Sequence, residues 1–363
     1  MPVATNELLK RLGIEHPIIL APMAGGPSTP ELVAAVSNAG GLGSLGAAYL
    51  TPQEILDACD RIRGLTRRPF AINLFAGGRE ADRTVDPAPM LQLLAEVHAR
   101  LGIAPPELPQ LPPDPFEAQF EAVVQSRPAA FSFTFGIPSK AALARSKSLD
   151  IFTIGTATTR DEGRALTDAG ADAIIAQGSE AGSHRATFLA SFESSMIPTL
   201  ELVRTIAAVG LPVIASGGLM DGRDIARALE AGAAAVQLGT AFLACPECGA
   251  SEAYKRAVLN ARGDTTVITR AFSGRPARGL RNDFIARVAG REEKILPFPL
   301  QNMLTRAMRT TAAKQGIADY LSLWAGQGVA RVRALPAGEL VRELLREMNE
   351  VTLVSYGSTS HLR

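Results

Sequence analysis

Short apolar runs recur along the chain, and most of them lead into a segment whose apolar positions repeat with a helical period. The runs are continuously hydrophobic, as expected for parallel strands buried on both faces, and helices between them would supply the crossovers that parallel pairing requires. We predict eight strands, at residues 17–23, 42–48, 69–76, 129–136, 151–158, 173–180, 212–218 and 235–242.

Three of the intervening helical segments end in an alanine followed by a glycine, at Gly40, Gly170 and Gly232. A glycine directly after the last helical turn adopts the left-handed conformation that ends a helix. Eight repeats of a strand and a helix favour a closed barrel over an open doubly wound sheet. The sequence therefore predicts an α/β protein of the TIM (β/α)8 barrel class.

Two segments are additional to the eight strands and helices of a minimal barrel. Residues 77–128 form a partly proline-rich insertion after the third strand, and residues 245–335 have mainly helical patterns apart from 265–272, which has the composition of a strand. Extra segments of this kind commonly cover the catalytic mouth of a barrel or mediate oligomers. The predicted organisation is a barrel at 1–244 that carries the insertion, a substrate-side or lid region at 245–335, and a C-terminal helix and tail at 336–363, with an amphipathic helix at 337–348.

The segment "NAGGLGSLGAAYL" places Gly41, Gly43 and Gly46 in the spacing G-x-G-x-x-G, with Asp60 further along the chain. A dinucleotide-binding fingerprint must follow a strand and open a helix. Here the glycines follow a predicted helix and lead into the second strand. The pattern therefore argues against a nicotinamide-binding Rossmann domain.

Charge and composition exclude several classes of partner. The 37 basic and 36 acidic residues leave a net charge of +1, which gives no reason to expect a nucleic acid or an acidic membrane. Cys245 and Cys248 form a C-x-x-C motif, but no second pair accompanies them and Cys59 stands alone, so we predict no metal site. We find no signal peptide and no apolar run long enough to cross a bilayer, and we expect a cytoplasmic protein.

The carboxyl ends of the strands are where a TIM barrel places its active site. The first predicted strand ends in Ala21, Pro22 and Met23, where small residues and a proline give a rigid backbone that a ligand can approach closely. This segment could equally be an ordinary turn. Asn73 interrupts the apolar third strand, and a buried amide must be hydrogen-bonded by the protein or by a ligand.

The sixth predicted strand ends in "QGSEAGSHR", which carries several polar side chains and two glycines. His184 in this stretch is one of four histidines, and the other three, at positions 16, 98 and 361, stand in less suggestive places. A lone histidine is more often structural than catalytic. Its position at the mouth end of a barrel strand nevertheless favours a function for His184.

Glycine-rich turns follow the seventh and eighth predicted strands. In TIM barrels such turns commonly bind phosphate, because backbone N–H groups without side chains in the way converge on the phosphate oxygens. A site with one histidine, some amides and a phosphate cradle indicates that a cofactor performs the difficult step, and flavin mononucleotide (FMN) fits this description. The candidate residues are Ser216, Gly217, Gly218, Gln237, Leu238, Gly239 and Thr240.

Several motifs in this order resemble those of the nitronate monooxygenase family, formerly called 2-nitropropane dioxygenases, and specifically its bacterial class I type. They run nearly from end to end: "APMAGG", "SNAGGLGSLGA", "INLF", "FSFTFGIP", "IGTATT", "QGSEAGSHRATF", "IASGG", "QLGTAF", "PLQNMLT" and "LWAGQGV". The resemblance implies an FMN-dependent TIM barrel without a metal or nicotinamide requirement. It also implies that the enzyme uses O₂ to oxidise alkyl nitronates, of the propionate 3-nitronate class, to a carbonyl compound and nitrite, in a detoxifying role.

The resemblance also implies roles for single residues. His184 matches the active-site histidine, which holds the nitronate and acts as a base on neutral nitroalkanes, and whose pKa we expect near working pH. Ser183 and Phe298 match the substrate end, although Ser183 and Ala186 stand where the family usually has glycine, which puts the substrate preference in question. The matches to flavin contacts are Ala21, Pro22, Met23, Asn73, Gln177 and Gly182 for the ring side, and Gly217, Gly218, Gly239 and Thr240 for the phosphate.

Two other functions stay open at this stage. One is an FMN-dependent enoyl-thioester reductase, which is a relative in fold and would need NAD(P)H. The other is a flavin-binding barrel that binds a ligand without turnover. We expect small-molecule partners, a nitronate and O₂, and a homodimer is possible.

Overall fold

Parallel strands surrounded by helices make up most of the computed structural model, which describes residues 6–79, 85–263 and 265–359. The strands are β1 (Ile18–Leu20), β2 (Gly43–Gly46), β3 (Phe70–Phe75), β4 (Ala130–Thr134), β5 (Phe152–Ala157), β6 (Ala173–Gln177), β7 (Ser183–His184), β8 (Val213–Ser216), β9 (Ala235–Leu238), β10 (Thr266–Thr269) and β11 (Ala277–Leu280). Within the described residues, eight of these strands form one parallel sheet in the order β1-β9-β8-β6-β5-β4-β3-β2. A short antiparallel sheet has the order β10-β11-β7.

The parallel sheet closes on itself. β1 pairs with β9, from Ile18 opposite Val236 to Leu20 opposite Leu238, and a parallel bridge between Ile19 and Leu42 joins β1 to the start of the second strand. The predicted TIM (β/α)8 barrel is therefore confirmed. β8 and β9 are the seventh and eighth strands of the barrel, since the two-residue β7 belongs to the short sheet.

Helices separate the barrel strands and continue beyond them. The predicted stops at Gly40, Gly170 and Gly232 are confirmed by their φ angles of 85°, 89° and 106°. The α-helices are α1 (Glu7–Leu12), α2 (Pro30–Asn38), α3 (Pro52–Leu65), α4 (Ala88–Leu101), α5 (Phe116–Ser126), α6 (Lys140–Ser148), α7 (Arg160–Ala169), α8 (Thr199–Ala207), α9 (Gly222–Glu230), α10 (Glu252–Leu259), α11 (Asp283–Val288), α12 (Leu300–Leu304), α13 (Arg306–Gln315) and α14 (Ala337–Thr359).

The core has two parts, one inside the barrel and one between strands and helices. Small and branched side chains such as Ile19, Ala71 and Ile214 fill the interior, and Leu8 and Leu12 of α1 pack beneath them. α1 therefore closes the amino-terminal end of the barrel and leaves the carboxyl ends of the strands to form the cavity. The larger outer core lies between the strands and the surrounding helices.

The barrel strands begin near their predicted positions but end earlier. The sixth was predicted at 173–180 and ends at Gln177, and the eighth was predicted at 235–242 and ends at Leu238. The polar residues and glycines at the ends of these runs are not paired in the sheet, and they form the turns that line the site. Continuous hydrophobicity identified the strands, but it could not separate a strand from the turn that follows it.

Both extra segments pack on the barrel. In the insertion, α5 contacts α3 and β3, and α4 contacts α13 of the C-terminal extension; residues 80–84 lie outside the described residues. The extension is not purely helical, because β10 confirms the strand-like 265–272 and pairs with the unpredicted β11. α14 includes the predicted helix at 337–348 and packs against α9 and α2. None of the described helices combines the length and the apolar composition of a membrane span.

Candidate active site

A cavity of about 670 Å³ opens at the carboxyl ends of the barrel strands. Its volume lies within the usual range of small-molecule and cofactor sites. Residues in or after all eight barrel strands contribute to its wall, and the C-terminal extension supplies the rest. The sequence-predicted residues that line it are Ala21, Pro22, Met23, Asn73, Gln177, Gly182, Ser183, His184, Ser216, Gly217, Gly218, Gln237, Leu238, Gly239 and Thr240.

One end of the cavity is built from main-chain amides in the turns after β8 and β9. Among the described residues, no protein acceptor pairs with the N–H groups of Gly217, Gly218, Gly239 or Thr240. Buried or half-buried N–H groups are nearly always paired, so four unpaired donors in two adjacent turns point to an anionic ligand. The short 3-10 helix Thr240–Phe242 begins at the same place, as in the phosphate sites of other barrels.

The same turns leave no room for side chains. A Cβ atom on Gly217 would lie 2.7 Å from Thr199 Oγ1, and Gly217 has a φ of 129°, which favours glycine. A Cβ on Gly239 would lie 3.2 Å from the Cβ of Ala21 and 3.8 Å from the sulfur of Met23. The turn after β9 therefore packs closely against the segment at the end of β1, and both line a cavity with room for a flat ring attached to a phosphate. The residues present fit FMN.

The loop that carries His184 is held by buried polar groups. The Gln177 amide donates to the His184 carbonyl over 3.0 Å, and its oxygen accepts from Ala186 N at 2.9 Å. The Arg185 guanidinium lies beneath the loop and donates to the carbonyls of Gln177 and Gly178 over 2.6 and 2.7 Å. The amide of Gln177 thus orients the histidine loop, while Gln177 also lines the cavity.

Glu162 fixes the far side of the same loop. Its buried carboxylate accepts hydrogen bonds from Thr158, Thr187 and the backbone of Phe188 and Leu189, at 2.6 to 3.0 Å. Burial opposes ionisation, but these donors prevail and hold the pKa of Glu162 below its usual value. A charged carboxylate that is fully hydrogen-bonded in this way pins the loop to the amino end of α7.

His184 lies in an aromatic setting. Its ring centroid is 5.9 Å from that of Phe135, 6.0 Å from Phe298 and 5.6 Å from Trp324. Burial, together with the positive charges of Arg275 and Arg309, lowers the pKa of His184 to about 3. The expectation of a pKa near working pH is therefore wrong, because the sequence showed neither the apolar rings nor the two cations, which come from distant segments. At neutral pH the imidazole carries no charge.

Part of the cavity wall is cationic. Arg306, Arg309 and Lys314 of α13 line the cavity, and among its described lining residues there is no carboxylate. Arg309 lies deepest and donates to Asn302 Oδ1 over 2.9 Å. Burial lowers its pKa to about 10, so it stays charged at neutral pH. Sequence reasoning missed these residues, although the spacing of Arg306 and Arg309 puts them on one face of a helix.

Tyr49 adds an unsatisfied donor to this wall. Its hydroxyl is buried and, among the described residues, has no hydrogen-bond partner. Burial raises the pKa of Tyr49 to about 12, although Arg309 and Arg306 act in the opposite direction, so the group remains a neutral O–H. A buried hydroxyl without a partner costs about 1–3 kcal/mol. Its place at the cavity wall is explained if a bound molecule accepts a hydrogen bond from this hydroxyl.

Phe298 differs from the other predicted site residues because it lies behind the cavity wall. It is 4% exposed and packs behind His184, with its ring 6.2 Å from Phe135 and 6.4 Å from Phe75. It is absent from the described lining of the cavity, and its ring packs against that of His184 at a centroid distance of 6.0 Å. Its role in substrate binding stays a prediction.

The fold is a TIM barrel with a cavity at the carboxyl ends of its strands, where enzymes of this class have their active sites. The chain belongs to the nitronate monooxygenase family, whose model, described as "Nitronate monooxygenase", matches residues 6–347. This membership agrees with the family resemblance of the sequence motifs. It also identifies the chain as an oxidoreductase.

Named relatives support the same family. A probable nitronate monooxygenase of Staphylococcus aureus (strain Newman) is 39% identical over 348 residues, which cover 95% of this chain and 98% of that protein. A solved structure of nitroalkane oxidase from Streptomyces ansochromogenes is 40% identical with a TM-score of 0.88, and covers 95% of this chain and 99% of its own. FabK from Thermotoga maritima is similar at 27% identity and a TM-score of 0.76, with coverage of 97% and 98%.

Proposed function

We propose that this protein is an FMN-dependent nitronate monooxygenase, which uses O₂ to oxidise alkyl nitronates to a carbonyl compound and nitrite. The observation that carries the proposal is the composition of one cavity. Unpaired amides lie at one end, and a neutral histidine lies beside a cationic wall at the other. The first end suits a phosphate, and the second suits a small organic anion. Family membership supplies the reaction type.

Different residues of the cavity would hold the cofactor and the substrate. Gly217, Gly218, Gly239 and Thr240 would hold the phosphate of FMN, and the Ala21–Met23 segment would lie along its ring. When bound, FMN supplies the redox chemistry that no side chain of the cavity offers. His184 would bind the nitro group of the substrate, and the enclosing rings of Phe135 and Trp324 would exclude water from it.

The cationic wall supports a substrate that carries a second anionic group, as in propionate 3-nitronate. A carboxylate at this wall would meet Arg306 and Arg309 and could accept a hydrogen bond from the Tyr49 hydroxyl. Hydrogen bonds to charged groups contribute about 1.5–3 kcal/mol when they are formed away from bulk water. The wall therefore provides a physical reason for preferring carboxylated nitronates over simple alkyl nitronates.

The direct test begins with the purified protein. We expect yellow protein that releases FMN, identified by its mass, and that forms one nitrite per propionate 3-nitronate consumed in air. Protein that stays colourless after FMN is added, or yellow protein that forms no nitrite, would contradict the proposal. The enoyl-thioester reductase alternative would instead require rapid bleaching of the flavin by NADPH under anaerobic conditions.

Tyr49→Phe is expected to weaken substrate binding without lowering the stability of the protein. Because the variant removes a hydroxyl that the protein itself leaves unpaired, its melting temperature should stay equal to that of the wild type or rise. The KM for propionate 3-nitronate should rise about tenfold, and that for ethyl nitronate should change little. Thermal unfolding and steady-state nitrite assays measure the two effects. Equal changes in KM for both substrates would show that Tyr49 does not contact a second anionic group.

A further inference from the structure

The strand that presents His184 is paired with a strand of the C-terminal extension. Ala277 of β11 lies opposite His184 of β7, and Arg185 N donates to the Pro276 carbonyl over 2.9 Å. The turn before β11 reverses the chain at Gly274, whose φ is 86° and whose Cβ, if it had one, would lie 2.3 Å from the Leu296 carbonyl oxygen. This turn is therefore rigid, and it brings its own side chains to the edge of the imidazole.

Ser273 is the side chain of this turn that reaches the ring. It is 1% exposed, and its Oγ lies 2.8 Å from His184 Nε2. The same oxygen lies 3.1 Å from the Arg275 carbonyl oxygen and accepts from Arg275 N at 3.3 Å. One hydroxyl proton must therefore be assigned between two acceptors, the imidazole nitrogen and the carbonyl.

The distances favour the imidazole as the acceptor. Hydroxyl donors to an oxygen typically bond at 2.5–3.0 Å, so the 3.1 Å contact to the Arg275 carbonyl is longer than usual, whereas Ser273 Oγ lies 2.8 Å from His184 Nε2. If Ser273 donates to Nε2, that nitrogen holds a lone pair, and a neutral imidazole must then carry its proton on Nδ1. Among the described residues Nδ1 has no hydrogen-bond partner, and the ring lines the cavity.

We propose that Ser273 is a positioning residue that holds His184 as the Nδ1–H tautomer, so that the histidine meets the substrate as a hydrogen-bond donor and not as a base. The substrate side of this inference rests on the proposed function. An N–H directed at the nitro group suits a nitronate, whose negative charge lies on its oxygens. A neutral nitroalkane would instead need a lone pair to take its proton from carbon.

The positive charges near the imidazole ring also favour a donor role for His184 over a role as a base. Arg275, whose guanidinium carbon lies 4.1 Å from the Phe135 ring centroid, and Arg309 come from two different segments, and the positive charge of each lowers the pKa of His184. Two cations near the ring disfavour the imidazolium that proton abstraction would create. The site therefore accepts nitronates that are already formed, and it oxidises them in preference to their neutral nitroalkane forms.

The tautomer is measurable without turnover. Selective ¹⁵N labelling of the four histidines, followed by long-range ¹H–¹⁵N correlation of the protein as purified, distinguishes Nδ1–H from Nε2–H, and the His184→Gln spectrum assigns the signal. We expect Nδ1–H in the wild type and a loss of this state in Ser273→Ala. A wild-type signal of the Nε2–H form would overturn the proposal, even if Ser273→Ala failed to fold.

Kinetics provides the second measurement. Ser273→Ala should lower kcat/KM for a nitronate about tenfold to a hundredfold, mainly through KM, as expected when a hydrogen bond to a charged group is lost. Ser146→Ala, which removes a buried hydroxyl from α6, should behave as the wild type. Wild-type protein that oxidised a neutral nitroalkane as fast as its nitronate would contradict the donor role. Absence of nitrite from either substrate would instead contradict the proposed function and leave the tautomer result standing.

Discussion

Gly239→Val is expected to give a folded protein that binds FMN at least about a hundredfold more weakly than the wild type. Gly239 has a φ of −112°, so valine is compatible with the backbone there. The new side chain would start 3.2 Å from the Cβ of Ala21 and would crowd the cavity wall where the turn after β9 meets the end of β1. It would block the approach of the phosphate to the amides, and both the overpacking and the lost hydrogen bonds weaken binding.

The measurement is the titration of purified variant with FMN, followed by flavin fluorescence, with circular dichroism as the check on folding. Gly64→Val is a matched control, because a Cβ at Gly64 in α3 meets no atom within 4 Å. It should bind FMN as the wild type does. A Gly239→Val protein that bound FMN with unchanged affinity would show that the phosphate does not occupy these turns.

His184→Ala is expected to retain FMN and to lose about a hundredfold to a thousandfold in kcat/KM for propionate 3-nitronate. Removing one preorganised donor from an anion-stabilising site typically has an effect of this size. The variant leaves the amides after β8 and β9 unchanged, so the cofactor should stay bound. Steady-state nitrite release and the absorbance of bound flavin measure the two quantities.

The pH dependence of the wild type gives an independent check on His184. Since its pKa is lowered from 6.5 to about 3, the ring is neutral in the folded protein throughout the range from pH 5 to 9. We expect no step in kcat near pH 6.5 that the His184→Ala variant lacks. His16→Ala, at the opposite end of the barrel before β1, serves as the control for replacing a histidine. A titration near 6.5 that disappeared only in His184→Ala would show that the imidazole becomes charged during turnover.

The fold was largely predictable because its signal is local. A parallel strand buried on both faces is continuously apolar, and a glycine such as Gly170 marks the end of a helix within a few residues of the sequence. β7 and β11 were not predictable in this way, since Ser183–His184 and Ala277–Leu280 are short and contain polar residues or glycine. Their pairing is decided by tertiary contact.

The site was predictable only at the barrel turns. His184 and the glycines after β8 and β9 follow strands directly, so their position at the mouth could be inferred from topology alone. Ser273, Arg275 and Arg309 come from the extension, and nothing in their local sequence shows which strand end they approach. The tautomer and charge state of the histidine depend on these residues, which is why the sequence led to a pKa that the structure corrects.

The pairing of β7 with β11 means that the site is built from both the barrel and the C-terminal extension. The eight-stranded barrel carries the unpaired amides after β8 and β9, but β11, which pairs with the histidine strand, and the cations Arg306 and Arg309 come from later in the chain. On the proposed function, we expect recombination that exchanged only the extension between relatives to change substrate preference more than cofactor binding.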